Sequence, residues 1–423
     1  MRFIADLHVH SRYSRATSRD MSPEGIWRWA QLKGITVVGT GDFTHPGWMK
    51  ELEEKLERAD NGLLVLKTEY EAGDIPDSCR SDVFFLPSVE ISCIYKKGGR
   101  TRKVHNLVFV PDFVAAERIS RGLARVGNLG SDGRPILGLD SKELLKMVLD
   151  SSPRAVLVPA HAWTPHFSVF GAASGFDSLE ECFEELTPHV SAIETGLSSD
   201  PPMNRRLSAL DGLSLISNSD AHSPAKMGRE ANILDTEISC DSVMKAITKG
   251  EGLTGTIEFF PEEGKYHYDG HRTCGVCLSP EETVRRNYLC PVCGKRLTVG
   301  VMHRVQRLAD REAGAGLAGV DPYRSLVPLP EIVAEVKKTG VNSRTVNKAY
   351  MDMLESLGNE FRILMDLPVE EIGAAGFSAV AEAVARVRAG EIAVSPGFDG
   401  EYGKIKIFGK FEKREAKGQE MLL

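Results

Sequence analysis

No run of 18 apolar residues occurs anywhere in this chain of 423 residues, which excludes an ordinary membrane-spanning helix. Its opening, Met1-Arg2-Phe3-Ile4, enters a strand-like stretch without the basic, apolar and small-residue order of a secretory leader. The expectation is a cytoplasmic protein with no membrane partner. Positive charge is not in excess either: 52 Lys and Arg stand against 59 Asp and Glu, a net charge of −7. That excludes indiscriminate coating of a polyanion, although a local basic track remains compatible with it. Cysteine is sparse, with eight residues, four of them in two tight Cys-x-x-Cys pairs. In a chain this long such pairs favour metal binding over a disulfide framework. There is no internal repeat.

What is present reads as an α/β pattern over residues 1–257. Short apolar runs recur at Phe3–Val9, Ile35–Val38, Phe84–Ile91, Val104–Val110, Ala155–Val158, Val190–Ile193 and Leu213–Ile216. Helix-like stretches lie between several of them. Ser22 before Pro23 and Glu24 predicts a helix start, while Met49–Ala59 and Ser141–Leu149 read as surface helices. Strands alternating with helices predict parallel pairing and allow a closed barrel. Tyr70–Ser81 and the glycine-rich Arg118–Asp140, with a short helix at its start, read as loops of the kind that contact substrates. Residues 258–310 hold the cysteine pairs. Residues 311–423 begin with a Pro-rich entry at Val320–Pro330. Helical periods follow at Ile332–Lys338, Ser343–Leu357 and Ala379–Arg388, then a basic tail with Lys404, Lys406, Lys410, Lys413, Arg414 and Lys417.

The chemistry begins at Asp6-Leu7-His8-Val9-His10. Histidines at i and i+2 near a strand end point to one side, so their rings can converge on one ion. Further candidates follow other apolar runs: Asp42, Glu90, His105, His161, Glu194, Asp220 and His222. Parallel strands would bring these ends to one face. The expected arrangement puts His8, His10, Glu90 and Asp220 around one metal, with Glu90 bridging to a second held by His105 and His161. His222 is a further candidate ligand, and the expected catalytic group is Asp220, His222, Glu90 and Asp42. Glu194 is either a carboxylate that orients a ligand or a helix cap. Imidazole and carboxylate ligands suit Zn, Mn or Fe, and paired ions can activate water against a phosphorus ester.

Cys274-x2-Cys277 and Cys290-x2-Cys293, twelve residues apart, predict a closed structural zinc site. Cys79, Cys93, Cys182 and Cys240 read as buried apolar residues. Between Thr283 and Ala309 the chain carries Arg285, Arg286, Lys295, Arg296, Arg304 and Arg307 and no acidic residue. This is either a phosphate-backbone contact or a solvated face that docks on the acidic first segment.

Together, Asp6-Leu-His-Val-His10-Ser, Val89-Glu90-Ile-Ser, Pro159-Ala-His161 and Ser219-Asp220-Ala-His222-Ser resemble the signature segments of the PHP (polymerase and histidinol phosphatase) superfamily. That resemblance implies a distorted seven-stranded β/α barrel with two or three divalent ions, zinc, manganese or magnesium. The chain departs from the usual motif at Phe43, where a histidine is common, with His45 displaced, and at Arg15. Both departures count against a third ion. More narrowly, His10–Ser14, Gly39-Thr-Gly-Asp42, the four cysteines and the helical C-terminal segment resemble the endonuclease Q family. This implies hydrolysis of the DNA phosphodiester on the 5′ side of uracil, hypoxanthine, xanthine or an abasic site, leaving 3′-hydroxyl and 5′-phosphate ends. Asp220 then matches an essential metal-binding aspartate of that family. A sliding clamp is a conceivable partner that leaves no mark in the sequence.

An enzyme that inspects a base must take it out of the stack, which requires aromatic faces and polar groups. Tyr70, Trp163, His166 and Phe167 are the candidates, with Arg344 in Asn342-Ser343-Arg344-Thr345 as a phosphate contact at a helix start, or part of a plain cap. The rival readings are a small-molecule phosphoesterase, a PHP nuclease without lesion specificity, and a non-enzymatic DNA-binding scaffold. The basic zinc segment and helical extension speak against the first, and the near-complete ligand set against the last.

Overall fold

The computed structural model describes residues 1–71, 73–314 and 321–409. Three sheets curve into a barrel-like α/β body. In the first, Arg2–Asp6 pairs in parallel with Val37–Gly39, and that strand in parallel with Phe84–Leu86. On its other side Arg2–Asp6 runs antiparallel to Ala231–Asp235, which in turn pairs antiparallel with Leu253–Glu258. The second sheet joins Ser88–Lys97, Arg100–Phe109 and Val156–Pro159 in antiparallel pairs, with the short strand Ile136–Leu137 parallel to Ser88–Lys97 at its edge. In the third, Ala192–Glu194 lies parallel to Ser214–Ile216.

Bonds across the gaps link the sheets: Phe43 N donates to Ser88 O, Ala162 N to Glu194 O, and Ser217 N to Asn232 Oδ1. One apolar cluster gathers side chains from strands of all three sheets, including Phe3, Ala5, Val37, Leu86, Leu107, Val158, Ala192, Ile216 and Leu234. Val243, Met244 and Ile247 of the helix Cys240–Lys249 pack into the same cluster.

All seven apolar runs contain strands, but the expected parallel order holds only in part. The long second hairpin turns on Gly98-Gly99, with φ of 60° and 72°, the two-residue geometry that joins antiparallel strands. Ala231–Asp235 and Leu253–Glu258 are strands outside those seven runs. Among the helices, Ser22 caps Pro23–Lys33 by accepting from Gly25 N. The predicted Met49–Ala59 helix instead runs Pro46–Lys55, because His45 Nδ1 accepts from Gly47 N and Trp48 N and Pro46 fits the first turn. The helix expected at Arg118 begins earlier, as Phe113–Leu123 capped by Asp112.

The C-terminal segment is tied to the rest at several points. Tyr323–Ser325 adds a parallel strand to Leu253–Glu258. The helices Leu329–Lys337, Arg344–Leu357 and Ser378–Ala389 follow. They anchor through Lys33, whose Nζ lies 2.7 Å from Glu360 Oε2, with both side chains buried. The pair Ala393–Ser395 and Lys404–Lys406 returns toward the cysteine segment, where Tyr268 N donates to Gly397 O and Arg272 N to Asp399 Oδ2. Of the predicted basic tail, Lys410, Lys413, Arg414 and Lys417 lie outside the described residues, as does Val320. Among the described residues no helix is long and apolar enough to cross a membrane.

Candidate metal centre

The site grows from the ends of the strands just described. Beyond Arg2–Asp6, Val9 bridges to Ala221 and His10 N donates to Ala221 O, so the His8–His10 segment and the Asp220–His222 segment are fastened together. Glu90 sits within Ser88–Lys97 and His105 within Arg100–Phe109, while His161 and Glu194 lie at or just past their own strands. Asp42, His161 and Asp220 adopt left-handed backbone conformations, with φ of 50°, 30° and 49°. Such conformations are costly for residues with side chains, and here they fall on three of the converging groups.

Two ligand sets result. His8, His10, Glu90 and Asp220 bring ligand atoms within 4.8 Å of one another, and Glu90, His105 and His161 form a second set sharing the glutamate. His10 Nε2 lies 3.0 Å from Asp220 Oδ1 and 3.3 Å from Glu90 Oε2. On the other side, Glu90 Oε1 lies 2.7 Å from His105 Nδ1 and 2.9 Å from His161 Nε2. The structure brings together the six side chains that the sequence pattern groups, with Glu90 shared between the two sets.

Whether a divalent ion fits can be judged from the atoms left over. His8 Nε2, His10 Nε2 and Asp220 Oδ1 are buried, and none makes a well-formed hydrogen bond among the described residues, although His10 Nε2 and Asp220 Oδ1 lie 3.0 Å apart. Buried polar atoms are otherwise nearly always paired. All three face the same space, and each is a competent ligand atom, so the residues fit a metal.

The groups behind the ligands fix their orientation. His8 Nδ1 lies 3.1 Å from Glu194 Oε1, and Glu194 also accepts from His161 N and Asn218 Nδ2. Glu194 therefore orients two ligands and caps no helix. Asp42 does the same for His10: its Oδ1 lies 3.1 Å from His10 Nδ1, while Oδ2 accepts from Ser11 N, Ser11 Oγ and Ser14 Oγ. With its oxygens engaged in this way, Asp42 joins neither ligand set and is placed to orient His10. His222 joins neither ligand set. Its Nδ1 is engaged by Asp220 O at 2.9 Å and its ring lies 4.5 Å from that of His10, partly exposed at the mouth. It therefore lies beside the two ligand sets, at the rim.

Charge in the site is set by burial and by the close approach of acids and bases. Burial acts to raise the Glu90 carboxyl, but His105 and Arg134 outweigh it and hold the group well below its ordinary range. Burial likewise opposes ionisation of Asp220, yet His8 and His10 keep it strongly ionised. Burial pushes His105 down to about 4, against the opposing pull of Glu90. His8 and His10 go the other way: burial disfavours their charged forms, but carboxylates beginning with Glu194 for His8 and Asp42 for His10 raise both.

Arg134 is a residue at the mouth of the site that the sequence reading did not single out. Its Nη1 lies 2.9 Å from Glu90 Oε2, at the end of the glycine-rich loop. The loop can come this close because residue 133 is glycine: a Cβ there would sit 2.3 Å from Asp42 Oδ2 and 2.5 Å from Ser14 Oγ. Gly133 N donates to Tyr13 O, and Arg15 N to Asp132 Oδ1, clipping the loop over the site. Asp132-Gly133-Arg134-Pro135 is a turn signal, and the arginine within it is the one available clue.

The expected DNA contacts divide sharply. Trp163 is fully buried against Phe170, with its indole N–H on Asn204 Oδ1, so it is a core residue and no base-stacking platform. Arg304 is buried too, bound to Phe170 O, Phe176 O and Asp177, and it fastens the cysteine segment to the barrel. Arg307 shares Asp177 but is exposed. Tyr70 is held by Glu54 and lies under Lys55. His166 is exposed, and its neighbour Phe167 packs on His105 with ring centroids 4.8 Å apart. Arg285, Arg286, Arg296 and Arg344 are exposed, and Arg344 directly follows Ser343, which caps its helix. Of the four predicted cysteine ligands, Cys274, Cys290 and Cys293 converge together with His271, and Cys277 stands outside the group.

Residues 328–391 match a domain family described as the MJ0043 C-terminal domain. The chain is 31% identical to the lesion-specific endonuclease PfuEndoQ from Pyrococcus furiosus, covering 96% of this chain and 95% of that one, with a TM-score of 0.83. It is 30% identical to endonuclease Q solved in complex with a 27-mer duplex substrate carrying an abasic lesion at the active site. That match covers 100% and 99% of the two chains, with a TM-score of 0.81. The protein MJ0043 of Methanocaldococcus jannaschii is 31% identical over 267 residues, 61% of this chain and 33% of that protein, so the match spans about a third of that relative's length.

Proposed function

Because this chain belongs to the endonuclease Q family of lesion-specific endonucleases, we propose that it nicks DNA by hydrolysing the phosphodiester on the 5′ side of a damaged nucleotide. The damage classes are deaminated bases (uracil, hypoxanthine, xanthine) and abasic sites, and the ends left are 3′-hydroxyl and 5′-phosphate. The single observation that carries this reading is the pair of ligand sets sharing Glu90, with three buried ligand atoms that make no well-formed hydrogen bond among the described residues.

His8, His10, Glu90 and Asp220 would hold one divalent ion, and Glu90, His105 and His161 a second. Bound there, the ions acidify water and neutralise charge on the phosphorus ester. The remaining work falls to the chain's own groups. Glu194 and Asp42 lock the rings of His8 and His10, so the ligand atoms need no reorganisation. Arg134 stands at the mouth as a fixed cation for a phosphate oxygen, and His222 stands at the rim with one ring nitrogen uncommitted to Asp220. Phe167, partly exposed and packed at a tilt on the buried His105, offers an aromatic face beside the site for an extruded nucleotide. Arg285, Arg286 and Arg296 offer exposed positive charge for phosphates further along the duplex, within a chain whose overall charge would repel DNA. The fold proposed for the body is the distorted seven-stranded β/α barrel, divided from the zinc segment near 257 and from the helical segment near 310.

The test presents duplexes that each carry one uracil, hypoxanthine, xanthine or abasic site, beside an undamaged duplex and a small phosphomonoester, with Mn²⁺, Mg²⁺ or Zn²⁺. Cleavage confined to damaged duplexes is expected. Turnover of the phosphomonoester with every duplex left intact would overturn the reading in favour of a small-molecule phosphoesterase.

A further inference from the structure

The two Cys-x-x-Cys pairs predict four thiolate ligands, but the described residues converge in a different set. His271, Cys274, Cys290 and Cys293 bring their ligand atoms within 4.8 Å of one another. Strand pairing explains the substitution. Asp269–His271 runs antiparallel to Val276–Leu278, with Gly270 opposite Cys277 and His271 opposite Val276. Side chains alternate along a strand. Val276 and Leu278 pack with Cys274, Cys290 and Leu297 in one small apolar cluster, so the intervening Cys277 leaves by the opposite face. There burial disfavours a thiolate, and the negative charges of Asp269, Glu282 and Glu401 act in the same direction.

His271 supplies what Cys277 does not. Its Nδ1 lies 3.5 Å from Cys293 Sγ. A tetrahedral zinc with a Zn–N bond near 2.0 Å and a Zn–S bond near 2.3 Å separates two such atoms by about 3.5 Å.

The sequence carries the same message once the turn is considered. Cys290-Pro-Val-Cys293 is followed by Gly294, whose φ of 70° turns the chain just after the second ligand. His271-Arg-Thr-Cys274 is followed by Gly275, with φ of 64°. A Cβ at either glycine would meet nothing within 4 Å, so the requirement is the left-handed backbone and not space. Cys277 is followed by Leu278 inside a strand and has no such turn. The repeated unit is therefore ligand, two residues, ligand, glycine, and in the first copy it begins at His271.

We infer that His271, and not Cys277, is the fourth ligand of a closed zinc site made of three cysteines and one histidine. The site ties the Asp269–Leu278 hairpin to the Cys290–Cys293 turn. Asp269, in the same hairpin, accepts from Gly300 N and lies 2.7 Å from His303 Nδ1, so the metal also steadies the start of the helix Val301–Leu308. The proposal does not depend on the activity assigned to the barrel.

Cobalt(II) substitution of the full-length protein tests it. The sulfur-to-cobalt charge-transfer band comes from cysteine ligands alone, so ions held by histidine and carboxylate in the barrel do not contribute. The Cys277→Ser protein is expected to keep the band at wild-type intensity and position. His271→Ala is expected to shift the ligand-field bands and weaken retention of zinc against a chelator. His271→Cys, which preserves a four-ligand site, is expected to raise the band by about a third, from three thiolates to four. Loss of about a quarter of the band in Cys277→Ser would indicate four cysteine ligands and overturn the inference. An unchanged spectrum in both His271 variants would overturn it as well.

Discussion

Arg134 reaches Glu90 across the mouth of the metal centre, Nη1 to Oε2 at 2.9 Å, with the arginine about one-quarter exposed and the glutamate wholly buried. The carboxylate that serves both ligand sets is thus also the contact of the one arginine in direct reach of them among the described residues. A guanidinium fixed in this position can follow a phosphate without leaving the site.

Arg134→Ala is therefore expected to lower the single-turnover rate of nicking by about 10²- to 10³-fold, with metal content retained. Arg134→Lys, which keeps charge without the planar fork, should recover only part of that loss. Pre-steady-state cleavage of an abasic-site duplex, with metal analysis of the same preparations, checks this. A rate within twofold of wild type in Arg134→Ala would remove the residue from the account.

Lys33 and Glu360 form the buried contact between the first helix and the C-terminal helices, with side-chain exposures of 3% and 4%. Glu360 also accepts from Leu329 N and Tyr350 Oη, so its position is over-determined. Removing only the cation strands a buried carboxylate. Lys33→Met should cost about 3–5 kcal/mol in urea unfolding, and adding Glu360→Gln should restore much of it. Equal loss in the single and double variants would show that the ion pair is not the source.

His267 gives a pH-dependent signature. It is buried, and burial pushes its imidazole down to about 4 from an ordinary 6.5. Above pH 6.5 the ring is neutral in both folded and unfolded chains, so stability is fully present there. As pH falls from 6.5 toward 4 the unfolded chain takes up a proton that the folded one refuses, and stability is lost, by roughly 3 kcal/mol at most. Replacing His267 by Phe should flatten the fall in unfolding free energy over that window relative to wild type. Parallel pH profiles would locate the loss in other groups.

Much of this site is legible in the amino-acid sequence because its chemistry depends on residue types that are rare at strand ends. His8, His10, Glu90, His105, His161 and Asp220, grouped by the sequence pattern, come together in the fold with Glu90 shared between the two sets. Relationships set by register and by loops are not legible in the same way. Arg134 lies far along the chain from every ligand, and its approach depends on the missing side chain of Gly133. Trp163 and Arg304 look like DNA contacts because aromatic and basic residues near a site suggest binding, yet tertiary packing buries both. Cys277 looks like a ligand because spacing counts residues but not faces, and one position along a strand reverses the side a thiol occupies. The antiparallel hairpin at Gly98-Gly99 carries a local signal that the alternation of strands and helices obscures. The strand Tyr323–Ser325 joins its sheet from a distant segment, and no local pattern announces that pairing.

The most direct measurement maps the nick. A 5′-labelled duplex with one abasic site is incubated with the wild-type protein and with Asp220→Asn, beside the same duplex without damage, and the new end is offered to a polymerase. The account predicts one nick immediately 5′ of the lesion, with an extendable 3′-hydroxyl, no cleavage of undamaged DNA and no product from Asp220→Asn. Equal cleavage of the undamaged duplex, or full activity in Asp220→Asn, would contradict it.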